Sequence, residues 1–404
     1  MARERLFPSF WMGGFECSTQ VHYCGRGRLD YTAELEHDLR ASADYALLAH
    51  FGMRTARDGI RWHLIEKKPG HFDFSTVEPL LRAAQEHGVL VIWDICHYGW
   101  PDDVDPLRPD FADRFARLAG AFARYIKEES DGVPFYAPIN ETSFLTWAAG
   151  DQAIFGPFAR GQGIKLKENL IRAIIAGIEE IWAVEPRARI VHTDPIIHVT
   201  APVHRPDLIG AARAMHESQF HAWDMIAGRM DPHLGGQPRY LDILGLNYYQ
   251  HNQLEYGGVT LTRKDPRWLD LHELLARAYS RYRRPFFISE TSGRQASRAS
   301  WLQYIAEQCA RALERGLPLE GVCLYPVIEA PEWTTGIFQR NGIWDVVPQP
   351  GDRLARVLSE PVAAALRAAQ LLLRQHLEEV PGPADLAADR GSRSARSCDE
   401  LVHA

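Results

Sequence analysis

The chain has 404 residues, of which 46% are hydrophobic and 24% are charged, and its formal net charge is −7. This composition can bury a large core. The acidic balance and the scattered lysines and arginines argue against nucleic acid or an anionic membrane surface as a partner.

Six cysteines occur without any CxxC pair, and the first residues, MARERLFPSFW, contain no apolar segment typical of a secretory signal. No run reaches the length of a membrane span. We therefore expect a cytoplasmic protein with reduced thiols. The sequence leaves the oligomeric state open.

Short runs rich in β-branched and aromatic residues alternate along the chain with longer segments of helical periodicity. Strands are predicted at residues 10–17, 53–59, 89–96, 134–139, 189–193, 240–247, 285–289 and 321–327. Helices are predicted at residues 33–51, 76–88, 109–127, 167–184, 206–229, 268–282, 299–315 and 361–376.

Eight strands that alternate with helices predict an α/β fold, a single (β/α)8 barrel with parallel strands. No GxGxxG motif follows the first strand, which disfavours a dinucleotide-binding fold. The connections at residues 18–32, 97–108 and 140–164 are expected to be long irregular loops at one face of the barrel. Residues 1–377 form the predicted catalytic domain, and 378–404 lack periodicity and are predicted to be a disordered tail or linker.

Two of the predicted strands end on a glutamate, Glu141 after APIN and Glu290 after FFIS. A carboxylate at the end of a buried strand needs a polar cavity or a partner. Hydrolysis of a glycosidic bond requires at least two facing carboxyl groups, one as proton donor and one as nucleophile. The simpler alternative is that each glutamate pairs with an arginine at the rim of the barrel.

Several motifs resemble the family 1 glycoside hydrolases, the β-glucosidase and 6-phospho-β-glucosidase group within the clan of (β/α)8 retaining glycosidases. They occur in the order expected of that family and cover roughly residues 8–375. The matching segments are Phe10-Trp11-Met12-Gly13-Gly14-Phe15-Glu16-Cys17-Ser18-Thr19-Gln20, Cys96-His97-Tyr98-Gly99-Trp100-Pro101, Pro138-Ile139-Asn140-Glu141-Thr142, Gly245-Leu246-Asn247-Tyr248-Tyr249, Ile288-Ser289-Glu290-Thr291-Ser292-Gly293 and Pro331-Glu332-Trp333.

The resemblance implies a retaining exo-β-glycosidase that hydrolyses short β-glycosides through a glycosyl-enzyme ester, without a metal or organic cofactor. Its partner would be a small carbohydrate or glycoside. Glu290 would be the nucleophile, supported by Arg57 and Tyr249, and Glu141 the acid/base. The implied substrate-binding residues are Gln20, His97, Asn140, Asn247, Tyr249, Glu332 and Trp333.

Other interpretations remain open from the residues themselves. His97 and Trp333 could be ordinary core residues, and Gln20 and Asn247 could merely tie rim loops together. The same barrel could serve a transglycosidase or a sugar-binding protein without turnover. A metal site built from the histidines near the fifth strand is disfavoured, because no HExxH motif or zinc-ligand spacing is present.

Overall fold

The computed structural model describes residues 5–351 and 353–378 of the chain. Their strands, in chain order, are β1 (Trp11–Gly14), β2 (Thr55–Gly59), β3 (Leu90–Cys96), β4 (Phe135–Ile139), β5 (Arg189–Pro195), β6 (His198–Thr200), β7 (Ile243–Asn247), β8 (Gln253–Glu255), β9 (Phe286–Thr291), β10 (Leu319–Leu324), β11 (Trp344–Gln349) and β12 (Arg353–Leu358).

Eight of these strands close into a parallel barrel in the order β1, β10, β9, β7, β5, β4, β3 and β2. The register places Asn247 of β7 opposite Glu290 of β9, and Asp94 of β3 opposite Gly59 of β2. All eight carboxyl ends therefore meet at one rim, and the predicted (β/α)8 barrel is confirmed.

Helices surround the barrel and join its strands. In chain order the α-helices are α1 (Tyr31–Glu34), α2 (His37–Leu48), α3 (Trp62–Ile65), α4 (Glu78–Glu86), α5 (Phe111–Glu129), α6 (Thr142–Leu145), α7 (Gly163–Val184), α8 (Ile209–Ser218), α9 (His221–Ile226), α10 (Leu271–Tyr282), α11 (Arg298–Glu314) and α12 (Glu360–Glu378). Short 3-10 turns lie at Ala49–Phe51, Pro206–Leu208, Pro232–Leu234, Pro238–Tyr240 and Gln295–Ser297, and a π-helical turn lies at Thr146–Asp151.

The interior of the barrel is filled by side chains. Phe7 lies at the amino-terminal end, where its ring contacts those of Phe135 and Phe287 at centroid distances of 5.3 and 5.1 Å. Met12 and Ile92 are fully buried in the same inner cluster. The barrel is thus a packed core whose usable opening is the carboxyl-terminal rim.

Several local predictions were wrong, among them the single helix at 33–51, which is divided into α1, α2 and a 3-10 turn. The predicted helix at 206–229 is divided into a 3-10 turn, α8 and α9, and residues 140–164 contain α6 and a π-helical turn instead of an irregular loop. Two small sheets were missed, the parallel pair β6–β8 and the hairpin β11–β12. These small sheets lie outside the barrel. Strands β6 and β8 have only three residues each, and the hairpin strands WDVVPQ and RLARVL do not alternate regularly between apolar and polar residues.

A buried ion cluster supports β2 from outside the barrel. The two ring nitrogens of His37 lie 3.0 Å from Asp44 Oδ2 and 3.1 Å from Asp58 Oδ2. Arg356 of β12 also contacts Asp44 at 3.0 Å, and Tyr45 donates to Asp58. Burial alone would lower the pKa of His37, but the charge of Asp58 and the hydrogen bonds to both carboxylates raise it to about 9.

The His37→Gln variant is expected to be less stable than the wild type by about 3 kcal/mol near neutral pH. The folded pKa of His37 lies above its unfolded value of 6.5. The stabilisation is therefore complete below about pH 6.5 and is lost as the pH rises through about 9. Urea unfolding across this range measures the difference. The exposed His204→Gln control should track the wild type, and a gap that does not change with pH would contradict the ionic role.

Five cysteines, at positions 17, 24, 96, 309 and 323, are free thiols, in agreement with the reduced state predicted. Within the described part of the chain, no helix combines the length and apolar character needed to cross a bilayer. The predicted tail, 378–404, lies outside the described residues apart from the last residue of α12, so the division into a barrel and a tail stays a prediction.

Candidate active site

The carboxyl end of β4 places Glu141 at the rim in an unusual backbone conformation. The amide of Asn140 donates to the carbonyl of Cys96 on β3, and the amide of Glu141 donates to that of Thr193 on β5, both at 3.0 Å. Glu141 has a φ of 46°, in the left-handed region that residues other than glycine rarely adopt. Strain of this kind is common at functional sites, where the surrounding structure holds it in place.

Glu290 lies on β9 with a donor on each carboxylate oxygen. Arg57 Nη1 donates to Oε1 at 2.9 Å, and the Tyr249 hydroxyl donates to Oε2 at 2.9 Å. The Arg57 side chain is fully buried, and Glu290 is 5% exposed. Both carboxylate oxygens of Glu290 therefore accept a hydrogen bond, one of them from a guanidinium.

Arg57 is shared between several groups of the site. Its Nη2 contacts both oxygens of Asp94, at 2.7 and 3.0 Å, and donates to Asn140 Oδ1 at 3.1 Å. One guanidinium therefore links Glu290 with the residue that precedes Glu141. Asp94 is itself fully buried, and its charge balances the arginine.

Glu141 lies in a different electrostatic environment from Glu290. It is 8% exposed, its Oε1 accepts from Asn247 Nδ2 at 2.8 Å, and its Oε2 accepts from the Tyr98 hydroxyl. Burial, together with the charge of Glu290, raises the pKa of Glu141 to about 8. Asn247 also accepts from Ser289, the neighbour of Glu290, at 2.5 Å, so both glutamates belong to one hydrogen-bonded network.

The orientation of the Asn140 side chain is fixed by its donors. Its Oδ1 accepts from Arg57 at 3.1 Å and from Thr193 at 2.6 Å, so its Nδ2 is the group that faces His97 Nε2 at 2.8 Å. His97 Nε2 therefore accepts, and the ring hydrogen lies on Nδ1. His97 is thus buried and hydrogen-bonded within the site, and its contact with a substrate stays a prediction.

One group of side chains has metal-ligand chemistry. The ligand atoms of Cys17, Asp94 and His97 all lie within 4.8 Å of one another, and all three residues are buried. Asp94 already binds Arg57, and Cys17 Sγ lies 3.3 Å from His97 Nδ1, the nitrogen that carries hydrogen. These contacts describe a hydrogen-bonded cluster beside a guanidinium, an environment that repels a cation.

Gln20 is fully buried, yet neither atom of its side-chain amide has a hydrogen-bond partner among the described residues. An unpaired buried amide is costly, and a ligand hydroxyl could satisfy both its donor and its acceptor. This environment fits the predicted role of Gln20 in binding a polar ligand.

Trp333 and Glu332 lie on the loop after β10, and both are partly buried. The Trp333 ring packs against Phe155 at 5.2 Å and against Tyr98 at 6.2 Å, which makes it part of an aromatic wall beside Glu141. The Glu332 carboxylate instead accepts from the Thr334 hydroxyl and, at 2.9 Å, from the Thr335 amide of its own loop. Those bonds do not join Glu332 to the network of the other predicted residues, and its substrate contact stays a prediction.

Three contributors to the network were not predicted. Tyr98 contacts Glu141, Asp94 anchors Arg57, and Asp194 of β5 accepts from the Ser143 amide and hydroxyl just beyond Glu141. Asp94 could have been noticed as the single charge within the otherwise apolar strand LVIWDIC. The role of Tyr98 depends on a loop conformation, a φ of 66°, that no sequence pattern indicates.

No protein-family profile and no curated protein match this sequence. Among solved structures, the family 1 β-glucosidase from Thermotoga maritima superposes with a TM-score of 0.71 at 15% identity, covering 92% of this chain and 99% of that one. The chain has the fold of family 1 β-glucosidases. The resemblance inferred from the sequence motifs is thereby confirmed for the fold.

Two complexes of a β-glucosidase from Thermotoga maritima are also similar to this chain. With deoxynojirimycin the TM-score is 0.71 at 15% identity, over 93% of this chain and 99% of that chain. With azafagomine it is 0.69 at 16% identity, over 85% and 87% respectively. At such identities the likeness shows a shared course of the backbone alone.

Proposed function

We propose that the protein is a retaining exo-β-glycosidase that hydrolyses short β-glycosides by double displacement. The observation that carries this proposal is the contrast between two glutamates in one network. Glu290 has an arginine and a tyrosine as donors, whereas the pKa of Glu141 is raised to about 8 by burial and by the charge of Glu290. One carboxyl group is thus suited to be an anion and the other to be an acid.

In the first half-reaction, Glu290 would attack the anomeric carbon while Glu141 gives its proton to the departing oxygen. Formation of the ester removes the charge of Glu290. Since that charge raises the pKa of Glu141, its loss favours release of the Glu141 proton. Glu141 is then able to accept a proton from the attacking water, and the configuration at the sugar is retained.

The substrate would be held by polar side chains around these two groups. Gln20 offers an unpaired buried amide, and the aromatic wall that includes Trp333 could stack against the apolar face of a sugar ring. The Thermotoga maritima relative is a β-glucosidase whose structures include complexes with deoxynojirimycin and azafagomine. That likeness supports a small carbohydrate as ligand.

The wild-type protein is expected to release nitrophenol from aryl β-glycosides and not from the matching α-glycosides. A panel of aryl glycosides that differ only in the sugar identifies the preferred sugar. Proton NMR of the first-formed product should show the β-anomer before mutarotation. Release of the α-anomer from a β-glycoside would contradict retention, transfer to an added alcohol in place of water would favour a transglycosidase, and binding without release would favour a sugar-binding protein.

A further inference from the structure

The Tyr98 hydroxyl is oriented toward Glu141 by its other neighbour. Asn140 Nδ2 donates to the Tyr98 oxygen at 3.2 Å, and that nitrogen has no lone pair with which to accept. The hydroxyl hydrogen therefore goes to Glu141 Oε2, the contact that the structure shows. The direction of this hydrogen bond follows from the orientation of the Asn140 amide, because Asn140 Oδ1 already accepts from Arg57 and Thr193 and only Nδ2 can face Tyr98.

Glu141 consequently has a donor on each oxygen, Tyr98 on Oε2 and Asn247 on Oε1. Donors of this kind stabilise a carboxylate and not a carboxylic acid. They oppose burial and the nearby charge of Glu290, which favour the acid. A group that must be an acid first and a base second needs both influences.

We propose that Tyr98 is a positioning residue that orients the Glu141 carboxyl group and stabilises its ionised form for the second half-reaction. This inference rests on the proposed glycosidase function and adds a residue to it. The proton movement is balanced: Glu141 takes a proton from water as the ester breaks, and Tyr98 keeps its own hydrogen throughout.

Backbone geometry and packing hold Tyr98 in place. Both Tyr98 and Glu141 have positive φ angles, 66° and 46°, so each partner of this contact sits in a strained conformation. The Tyr98 ring is buried against Phe155, Phe144 and Trp333, at centroid distances of 5.4, 5.8 and 6.2 Å. Phenylalanine at this position would keep the ring packing and remove only the hydroxyl.

Charges from every neighbouring strand end act on Glu141. The anions Glu290 and Asp194 raise its pKa, and the hydrogen bonds from Tyr98 and Asn247 lower it. Arg57, Asp94, His97 and Tyr249 are linked to this centre through Asn140 or Glu290. Three further titratable groups lie near it, since Glu16 acts on Tyr98, Lys167 acts on Asp194, and Tyr325 lies 3.4 Å from His97. Tyr98→Phe leaves all of these groups in place, so its effect reports the lost donor.

The test compares Tyr98→Phe with Tyr136→Phe. Tyr136 is a matched control because it lies on β4, is fully buried, and its hydroxyl has no partner among the described residues. Carbon-13 NMR of glutamate-labelled protein, with the Glu141 signal assigned by its loss in Glu141→Gln, measures the pKa directly. We expect it to rise by about one pH unit in Tyr98→Phe and to stay unchanged in Tyr136→Phe.

The pH dependence of the rate provides a second measurement, which would not change if Tyr98 had a purely structural role. In Tyr98→Phe, the alkaline limb of kcat/KM for a poor leaving group should move to higher pH by the same amount. With a dinitrophenyl glycoside, whose second step limits the rate, the acidic limb of kcat should move in the same direction. A rate that falls equally at all pH values, with an unmoved Glu141 titration, would overturn the proposal.

Failure of this inference can be separated from failure of the proposed function. If the wild type hydrolyses aryl β-glycosides and Tyr98→Phe does not change the pKa of Glu141, only the proposed role of Tyr98 is wrong. If the wild type hydrolyses none of them, the glycosidase function is wrong, and the NMR titration still decides whether Tyr98 stabilises the ionised carboxyl group.

Discussion

The Glu290→Ala variant is expected to lose activity on the order of 10⁵–10⁶-fold in kcat on every β-glycoside. Removing the carboxylate removes the oxygen atom that would form the ester. Among the described residues, no other carboxylate accepts hydrogen bonds from both Arg57 and Tyr249. The fold should survive, because Arg57 keeps its contacts with Asp94 at 2.7 and 3.0 Å and so remains a paired charge. Melting temperature and steady-state kinetics test the two statements separately.

Azide provides the internal control for Glu290→Ala. A small anion can enter the space left by the carboxylate and attack the sugar directly, while Glu141 still protonates the leaving oxygen. A single displacement inverts the anomeric centre, so a β-glycoside should yield the α-glycosyl azide. Rescue that gives the β-glycosyl azide, or near wild-type turnover without azide, would contradict the assignment of Glu290 as nucleophile.

The barrel could be predicted from sequence because its strands are buried on both faces. Largely apolar runs such as Leu90–Cys96 are distinct from the helical periodicity of segments such as Phe111–Glu129. All eight barrel strands were found, with boundaries displaced by a few residues at most. The hairpin Trp344–Gln349 with Arg353–Leu358 was missed because most of its residues are half-buried or exposed, and its polar residues do not alternate regularly with apolar ones.

The residues of the candidate site could be predicted where a sequence motif marks the end of a strand. They were harder to predict where the conformation of a loop determines which side chains are in contact. Arg57 and Tyr249 both donate to Glu290. Asn140 and Asn247 contact Arg57 and Glu141, and the substrate contacts that the resemblance implies for them stay predictions. Tyr98 was not predicted to touch Glu141, because its contact arises from a positive φ. The partner of the Glu332 carboxylate likewise depends on how its loop turns, and here that loop supplies the partner itself.

The ion pair of Arg57 and Asp94 balances a buried charge next to Glu290. A fully buried guanidinium is costly unless its charge is balanced, and Asp94 supplies that balance inside the barrel. Arg57 Nη1 donates to Glu290, and this contact is not the only ion pair that compensates the buried charge of Arg57. The outer cluster around His37 holds the next residue of the same strand, Asp58, from the opposite face.

The Glu141→Ala variant is expected to separate substrates by their leaving groups. Loss of a general acid should reduce kcat/KM by about 10²–10⁴-fold for alkyl or phenyl glycosides. Dinitrophenyl glycosides, whose leaving group needs little protonation, should be affected far less in the first step. In the wild type, kcat/KM for a poor leaving group should fall as the pH rises through about 8, because Glu141 must be protonated to act and burial with the charge of Glu290 raises its pKa to that value.

That alkaline limb should be absent from Glu141→Ala, which has no proton to lose at this position. Azide should accelerate the variant on dinitrophenyl glycosides, since it attacks the glycosyl-enzyme ester without a general base. Because Glu290 is intact, two displacements occur, and the product should be the β-glycosyl azide, the opposite anomer from that of Glu290→Ala. If Glu141→Ala slowed good and poor leaving groups equally, or if both variants gave the same anomer, the division of roles between the two glutamates would be wrong.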